Sequence, residues 1–354
     1  MKKIGLIVAF CAVMGSVWAI PARRGGIVKT QPDGSEIVVY QHGDEHFHWM
    51  TNEQGEWLHM DEDGFYHVTK ALSKEAIAAK RAASPMQVKP KNDVASPLNI
   101  APRGLIILVN FADLAFTETI EEMDSMHNAK NYTRDYEYVY RGNTYQVSSE
   151  GSARQYFYDA SFGQYNPQFD VIGPVTVSRE YAYYGKNNVN TQFDQRPWEM
   201  IKEACVIADT LLDVDFTQYD NDNDDIVDFV YVIYAGYGEA DGGGANTIWP
   251  HSYQLSAVGA YCRLDGVRVD LYACGNEIDY YTKKHTGIGT FCHEFSHVLG
   301  LPDLYTTEGQ THKTLGEWSI LDYGPYNNDG NTPPAYSAYE RFFMGWLTPE
   351  VIVD

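Results

Sequence analysis

Two internal stretches of this chain are apolar almost without interruption. Gly104-Leu105-Ile106-Ile107-Leu108-Val109-Asn110-Phe111 is one, and Ile226 to Ala235 (Ile-Val-Asp-Phe-Val-Tyr-Val-Ile-Tyr-Ala) is the other. Runs of this length and β-branched content predict strands buried on both faces of a sheet. Between them the period changes. Trp198, Ile201, Cys205, Ala208 and Leu212 recur at helical spacing, which predicts an amphipathic helix from Arg196 to Leu212. Ile288, Phe291, Cys292, Phe295, Val298 and Leu299 give a second helix an apolar surface broad enough to bury most of it. Gly300 can end that helix in a left-handed conformation, and Pro302 keeps it from resuming.

The first part of the chain reads differently. Between residues 20 and 70, short strand-like runs such as Ile37-Val38-Val39-Tyr40 and Glu56-Trp57-Leu58-His59 are separated by turn signals. These are Pro32-Asp33-Gly34, Gly43-Asp44, Asn52-Glu53-Gln54-Gly55 and Asp61-Glu62-Asp63-Gly64. A small β-rich unit is predicted, followed by a short helix from Ser73 to Ala83 and an exposed linker, Ser84-Pro85-Met86-Gln87-Val88-Lys89-Pro90-Lys91. Before this unit, Lys2 and Lys3 precede an apolar run from Ile4 to Val17, and Ala19 suits signal cleavage, so residues 1–19 are expected to be an export signal. The run is too short for a confident membrane span, and no stable membrane insertion is expected.

The chain has 354 residues, and 26 Lys plus Arg against 48 Asp plus Glu leave a net charge of -22. That balance opposes nucleic-acid or anionic-membrane partners and suits a secreted, extracellular enzyme. Beyond Cys11 the cysteines are Cys205, Cys262, Cys274 and Cys292. Pairing of Cys262 with Cys274 is open in an exported chain, while Cys292, inside a buried helix, is expected to be a free thiol.

The chemistry enters with His293-Glu294-Phe295-Ser296-His297-Val298-Leu299-Gly300-Leu301-Pro302-Asp303, which reads H-E-x-x-H-x-x-G-x-x-D. Four residues apart on a helix, His293 and His297 project from one face and suit two legs of a tetrahedral zinc site. Glu294 lies where a carboxylate can take the proton from a metal-activated water. After the turn at Gly300, Asp303 can swing in as a third ligand. Glu340, in a helix-like stretch from Tyr336 to Trp346, is its rival. A buried His-Glu-His cluster without a metal would cost several kcal/mol in desolvation. His251 can line the cleft, or cap backbone as loop histidines commonly do. A second cation site is predicted where Asp220, Asp222, Asp224 and Asp228 alternate along an acidic loop, with the Ile226 carbonyl as a further ligand, in the manner of a calcium loop. Asp225 stands there in place of the usual glycine, and no distal glutamate is evident. The architecture expected is mixed α/β, with a twisted sheet backing the zinc helix.

Several segments taken together resemble one family. G-T-F-C-H-E-F-S-H-V-L-G-L-P-D-L-Y, W-S-I-L-D-Y-G, the D-x-D-x-D loop running into Y-V-I-Y-A-G, I-W-P-H and Y-E-R-F-F-M-G-W are similar to those of immune inhibitor A-like secreted metalloproteases, which are metzincin-type zinc endopeptidases. The resemblance covers about residues 100–350. It implies a zincin-like α+β catalytic domain at 99–354, zinc held by His293, His297 and Asp303, Glu294 as general base, and proteins or peptides as substrates. It also implies that Tyr323 can hydrogen-bond the tetrahedral intermediate, and that Leu321 stands where a methionine is usual beneath the metal. Residues 20–98 then resemble a propeptide, making the chain a zymogen, with cleavage expected between Lys80 and Arg103. His42, His46 or His48, or the neighbouring Asp44 and Glu45, would cover the open metal position. The apolar end Val351-Ile352-Val353-Asp354 suggests that further domains follow. The rival class is a binding protein or adhesin on the same scaffold, against which the intact Glu294 argues.

Overall fold

The computed structural model describes residues 18–82, 101–188, 193–306 and 313–350. The expected signal up to Val17, the linker from Ser84 to Lys91, most of the expected cleavage zone and the terminal Val351–Asp354 lie outside the described residues.

A short strand, β1 (Trp18–Ala19), is followed by a five-stranded antiparallel meander: β2 (Gly26–Thr30), β3 (Glu36–Asp44), β4 (Phe47–Thr51), β5 (Trp57–Met60) and β6 (Tyr66–Val68). Three of its four turns fall where Asp or Asn precedes a glycine, and the fourth runs through Gly43-Asp44. Asp33 Oδ1 accepts from the Ser35 amide at 2.9 Å and Asp61 Oδ1 from Asp63 at 3.0 Å, so each side chain closes its own turn. Helix α1 (Lys74–Ala82) starts where Ser73 Oγ accepts the Ala76 amide at 3.2 Å.

The larger part begins at β7 (Arg103–Asn110) and continues through α2 (Ile120–Asn128), the hairpin β8 (Thr133–Tyr140) and β9 (Asn143–Glu150), and α3 (Ala153–Ala160). Then come β10 (Gln168–Thr176), α4 (Tyr181–Gly185), α5 (Pro197–Leu212), β11 (Val230–Tyr237) and β12 (His251–Gln254). A small hairpin, β13 (Cys262–Leu264) with β14 (Val267–Val269), leads to β15 (Leu271–Ile278), α6 (Gly289–Val298) and α7 (Ala338–Phe343). The central sheet has the order β1-β12-β15-β11-β7-β10. β10, β7, β11 and β15 run parallel, β12 is antiparallel to β15, and β1 is antiparallel to β12. The mixed α/β expectation therefore holds.

The unbroken apolar runs do bury both faces. Leu105, Ile107 and Val109 of β7, with Val230, Val232 and Tyr234 of β11, pack with Met200, Ile201, Ala204 and Ala208 of α5. Ile106, Leu108, Tyr231 and Ile233 point the other way and pack with Phe291, Cys292 and Phe295 of α6. Each such side chain contributes roughly 1.5–3 kcal/mol through burial. The sheet thus fixes the height and tilt of α6, the helix that carries the histidines.

Four expectations need correction. β11 begins at Val230 rather than Ile226, because Ile226 forms only an isolated bridge with Arg268 and leaves the acidic turn there. The helix expected from Tyr336 to Trp346 is confined to Ala338–Phe343, started by Ser337 and closed before Gly345, which has φ 73°. Gly242-Gly243-Gly244, a glycine run that reads as a flexible loop in the sequence, forms a tight turn: the Gly243 amide donates to Gly238 O at 2.7 Å, and a Cβ on Gly243 would lie 2.6 Å from that same oxygen. Cys262 and Cys274 do not pair, and all four described cysteines are free thiols. Cys262 sits on the β13–β14 hairpin near Cys205 of α5, whereas Cys274 in mid-β15 lies 3.6 Å from His251 Nδ1.

Candidate metal centre

Helix α6 delivers both imidazoles to one point. His293 Nε2 and His297 Nε2 are 3.1 Å apart. Gly300, at φ 90°, ends the helix as expected, and the chain turns back so that Asp303 Oδ1 lies 3.4 Å from His293 Nε2 and 3.5 Å from His297 Nε2. Tetrahedral ligands at about 2.0–2.1 Å from zinc stand roughly 3.3–3.4 Å from one another. The triangle of donor atoms has that size.

The hydrogen bonds behind the rings fix their tautomers. His293 Nδ1 bonds the Ile320 carbonyl at 2.7 Å, and His297 Nδ1 bonds the Leu301 carbonyl at 2.8 Å. A carbonyl only accepts, so each Nδ1 carries the hydrogen and each Nε2 presents a lone pair. Two lone pairs and an Asp303 Oδ1 that accepts no hydrogen bond among the described residues then face one another in a buried site. Such a group of acceptors repels itself unless a cation lies between them, so the residues present fit a divalent metal.

Glu294 is fully buried beside the triangle. Burial pushes its pKa well above the ordinary carboxylate range, His293 opposes that, and Asp303 and Glu45 add to it. Burial likewise pushes the Asp303 carboxyl up, with Glu45 the next contributor, and pushes His297 down. Glu294 Oε1 accepts the backbone N–H of Ile20 at 3.2 Å, while Oε2 has no hydrogen-bond partner among the described residues.

The rival carboxylate is used elsewhere. Glu340 is the third residue of α7 and closes a capping box with Ser337. It also receives Ser319 Oγ at 3.4 Å, next to the Ile320 carbonyl that holds His293. Leu321 is fully buried in that same turn, and its carbonyl accepts the Leu304 amide at 2.7 Å, tying the turn to the segment that carries Asp303. Tyr323 is half-buried beneath the Arg24 guanidinium, 3.6 Å from its ring centroid. His251 lies on strand β12, fully buried between the Trp249 carbonyl and the Tyr272 hydroxyl, with its pKa lowered to about 4 by burial.

What sequence reasoning missed is the N-terminal segment that fills the cleft. β1 adds to the free edge of β12, pairing Trp18 with Ser252 and Ala19 with His251. Trp249 Nε1 donates to the Ile20 carbonyl at 2.9 Å, Tyr326 OH donates to the Pro21 carbonyl at 2.6 Å, and the Arg23 amide donates to Ala240 O at 2.9 Å. The meander folds over the same opening. Glu45, 3% exposed, pairs with His46 Nε2 at 3.0 Å and faces Asp303 and Glu294. Burial opposes charge on His46, but Glu45 and Asp44 outweigh it and raise the pKa to about 9. The other histidines of the unit turn away: His42 bonds Thr51 Oγ1 at 2.9 Å, and His48 stacks on Trp249 at 4.7 Å.

In the acidic loop, ligand atoms of Asp220, Asp222 and Asp224 lie within 4.8 Å of one another. Asp220 also accepts the Asp224 and Asp225 amides at 3.0 Å each, and Asp225 adopts φ 63°, the conformation that glycine usually supplies. Asp228 Oδ2 is turned aside to Asn221, accepting its amide at 2.7 Å. The structure therefore brings together three of the carboxylates predicted for calcium and diverts the fourth.

Residues 99–347 match the family of immune inhibitor A peptidase M6 catalytic domains. Pre-pro-metalloprotease PrtV of Vibrio cholerae serotype O1 is 27% identical over 277 residues, covering 68% of this chain and 29% of that protein. Immune inhibitor A of Bacillus thuringiensis subsp. alesti is 28% identical over 270 residues, covering 68% of this chain and 39% of that protein. The chain therefore spans well under half the length of these relatives.

Proposed function

The chain belongs to the immune inhibitor A peptidase M6 family, and from that premise we propose that it is an exported zinc endopeptidase whose N-terminal unit keeps it latent. The observation that carries the reading is the triangle of His293 Nε2, His297 Nε2 and Asp303 Oδ1 at 3.1, 3.4 and 3.5 Å. Those three side chains would hold the ion. A zinc ion there supplies a Lewis acid that polarises the scissile carbonyl and makes water acidic enough to attack near neutral pH.

The remaining steps belong to the chain. Glu294 takes the proton of the attacking water and passes it to the leaving amine nitrogen. The bond to the Ile20 nitrogen marks where that nitrogen would lie, since Trp249, Tyr326 and Ala240 hold the backbone of Ile20, Pro21 and Arg23 across the cleft even after residues 1–19 leave with the signal. The carbonyls of Ile320 and Leu301 keep both imidazoles in the ligating tautomer. Tyr323 would act only after Arg24 leaves its ring.

Latency follows from the same contacts. Ile20 and Ala22 are buried in the cleft, and Glu45 stands over the carboxylates of the site. The name of the Vibrio cholerae relative, a pre-pro-metalloprotease, fits a chain that is exported and then shortened. No described helix is long and apolar enough to cross a membrane. The test is digestion of an unstructured protein such as casein by the purified chain, before and after limited proteolysis. It is run with and without a zinc chelator, and with elemental analysis of the folded protein. Digestion that ignores the chelator, or protein free of transition metal, refutes the proposal.

A further inference from the structure

We propose that the acidic pocket now filled by Arg23 is a substrate subsite, which takes an arginine side chain four residues beyond the bond that is cut. The inference deepens the reading above and rests on it for the position of that bond.

The Arg23 guanidinium is held by the carboxylates of Asp279 and Asp329. It lies over the Tyr281 ring, 4.2 Å from the centroid, with the Tyr326 ring centroid at 5.8 Å. Every one of these pocket residues belongs to the family-matched part of the chain, whereas Arg23 does not. The carboxylates are aimed by their own surroundings. Asp279 Oδ1 accepts the Tyr281 and Thr282 amides at 2.9 and 2.8 Å, and Asp329 Oδ2 accepts the Tyr138 hydroxyl at 2.8 Å. A third carboxylate, Asp241, is 5% exposed, and its Oδ1 has no hydrogen-bond partner among the described residues.

Two of the cations facing this group, Arg23 and Lys29, arrive with the N-terminal unit, and among the described residues Lys283 faces it from the family-matched part. Once the unit departs, the Asp279 and Asp329 carboxylates, with the buried Asp241 beside them, would face only the exposed Lys283 ammonium among the described residues. That imbalance favours a guest with a planar, bidentate positive charge and a face for aromatic contact, which describes arginine.

The register follows from the backbone. Trp249, Tyr326 and Ala240 hold main-chain atoms of residues 20–23, contacts that any peptide can make and that remain once residues 1–19 leave with the signal. With Glu294 on the Ile20 nitrogen, Ile20 is the first residue past the cut and Arg23 the fourth. A pocket lined by Ile20, Asp241, Asn276, Asp279, Tyr326 and Asp329 links the two positions. Selection in such a cleft falls to its side-chain pockets, and buried charges built for a partner discriminate against residues that lack it.

The test starts from the full chain, processed by limited proteolysis until casein digestion appears, and profiles the cuts made in a mixed peptide library by mass spectrometry. We expect arginine, and lysine more weakly, to be enriched at least about tenfold at the fourth position past the cut. Asp329→Asn should reduce that enrichment, and Asp279→Asn with Asp329→Asn should abolish it, raising KM for arginine-bearing peptides while kcat holds. Cuts that ignore the fourth position overturn the inference. If nothing is cut at all, the proposed activity fails, and the pocket is judged alone with unprocessed Arg23→Ala protein and methylguanidinium. Saturable thermal stabilisation by that ion, lost in the triple variant with both Asn substitutions, supports the pocket. No stabilisation overturns it.

Discussion

Ile20 donates its backbone N–H to Oε1 of Glu294 at 3.2 Å, although 274 residues separate the two. The contact joins the segment beside the edge of the central sheet to the middle of α6, and the Trp249 and Tyr326 side chains hold that segment through the Ile20 and Pro21 carbonyls. It places a peptide nitrogen on the carboxylate proposed to protonate one.

Glu294→Gln should lower digestion by at least about a hundredfold, because it removes the proton carrier. Metal content by elemental analysis should not change, since Glu294 lies outside the triangle of donor atoms. Near-normal turnover in this variant would remove the mechanism.

Asp303→Asn and Glu340→Ala should separate metal binding from stability. The first should weaken zinc affinity at least about tenfold in a chelator competition, as loss of a charged ligand demands. The second should leave affinity nearly intact but lower the Tm, since the capping box at Ser337 contributes about 0.5–2 kcal/mol. The opposite pattern would make Glu340 the ligand.

Glu45→Ala should shorten the lag before casein digestion appears, because it empties the position over Asp303 and Glu294. Ser35→Ala, in an exposed turn of the same unit, is the control and should leave the lag unchanged. Equal time courses for both would sever Glu45 from latency.

Asp241 carries a pH signature. Burial, with Asp279, pushes its pKa up to about 7, and Arg23 opposes the rise. The folded protein therefore holds a proton on Asp241 that the unfolded chain releases near pH 4. Stability from this group is fully present below pH ~4 and is lost as pH climbs towards ~7. Thermal melts of Asp241→Asn should show a gain over the parent chain that grows across that window. A constant difference between the two would mean that Asp241 is not so perturbed.

The legible parts of the sequence were those governed by neighbours. The meander between residues 20 and 70, the two apolar strands and the α5 helix appeared close to where periodicity and turn residues predicted them. The end of α6 at Gly300 was equally plain, because a left-handed residue there is a local requirement. The β8–β9 hairpin went unseen although Tyr136, Tyr138 and Tyr140 alternate with exposed residues along β8, because its inward face carries tyrosines and an arginine rather than aliphatic side chains. Two alternatives left open in the sequence met local uses in the fold: Glu340, the rival to Asp303, closes the cap of α7, and Cys262, an open partner for Cys274, is carried towards α5 by its hairpin.

The sequence alone determined that two imidazoles share a helix face with a carboxylate beside them, because helical spacing follows from backbone geometry and needs nothing distant. It also determined that a glycine turn follows at once. Only the tertiary structure decided what meets that face, the Ile20 amide and the Glu45 carboxylate, and what fills the acidic pocket beside it, Arg23; all come from the N-terminal unit. Those contacts depend on the path of the whole chain and on strand addition at an edge, where main-chain pairing leaves little side-chain pattern to read.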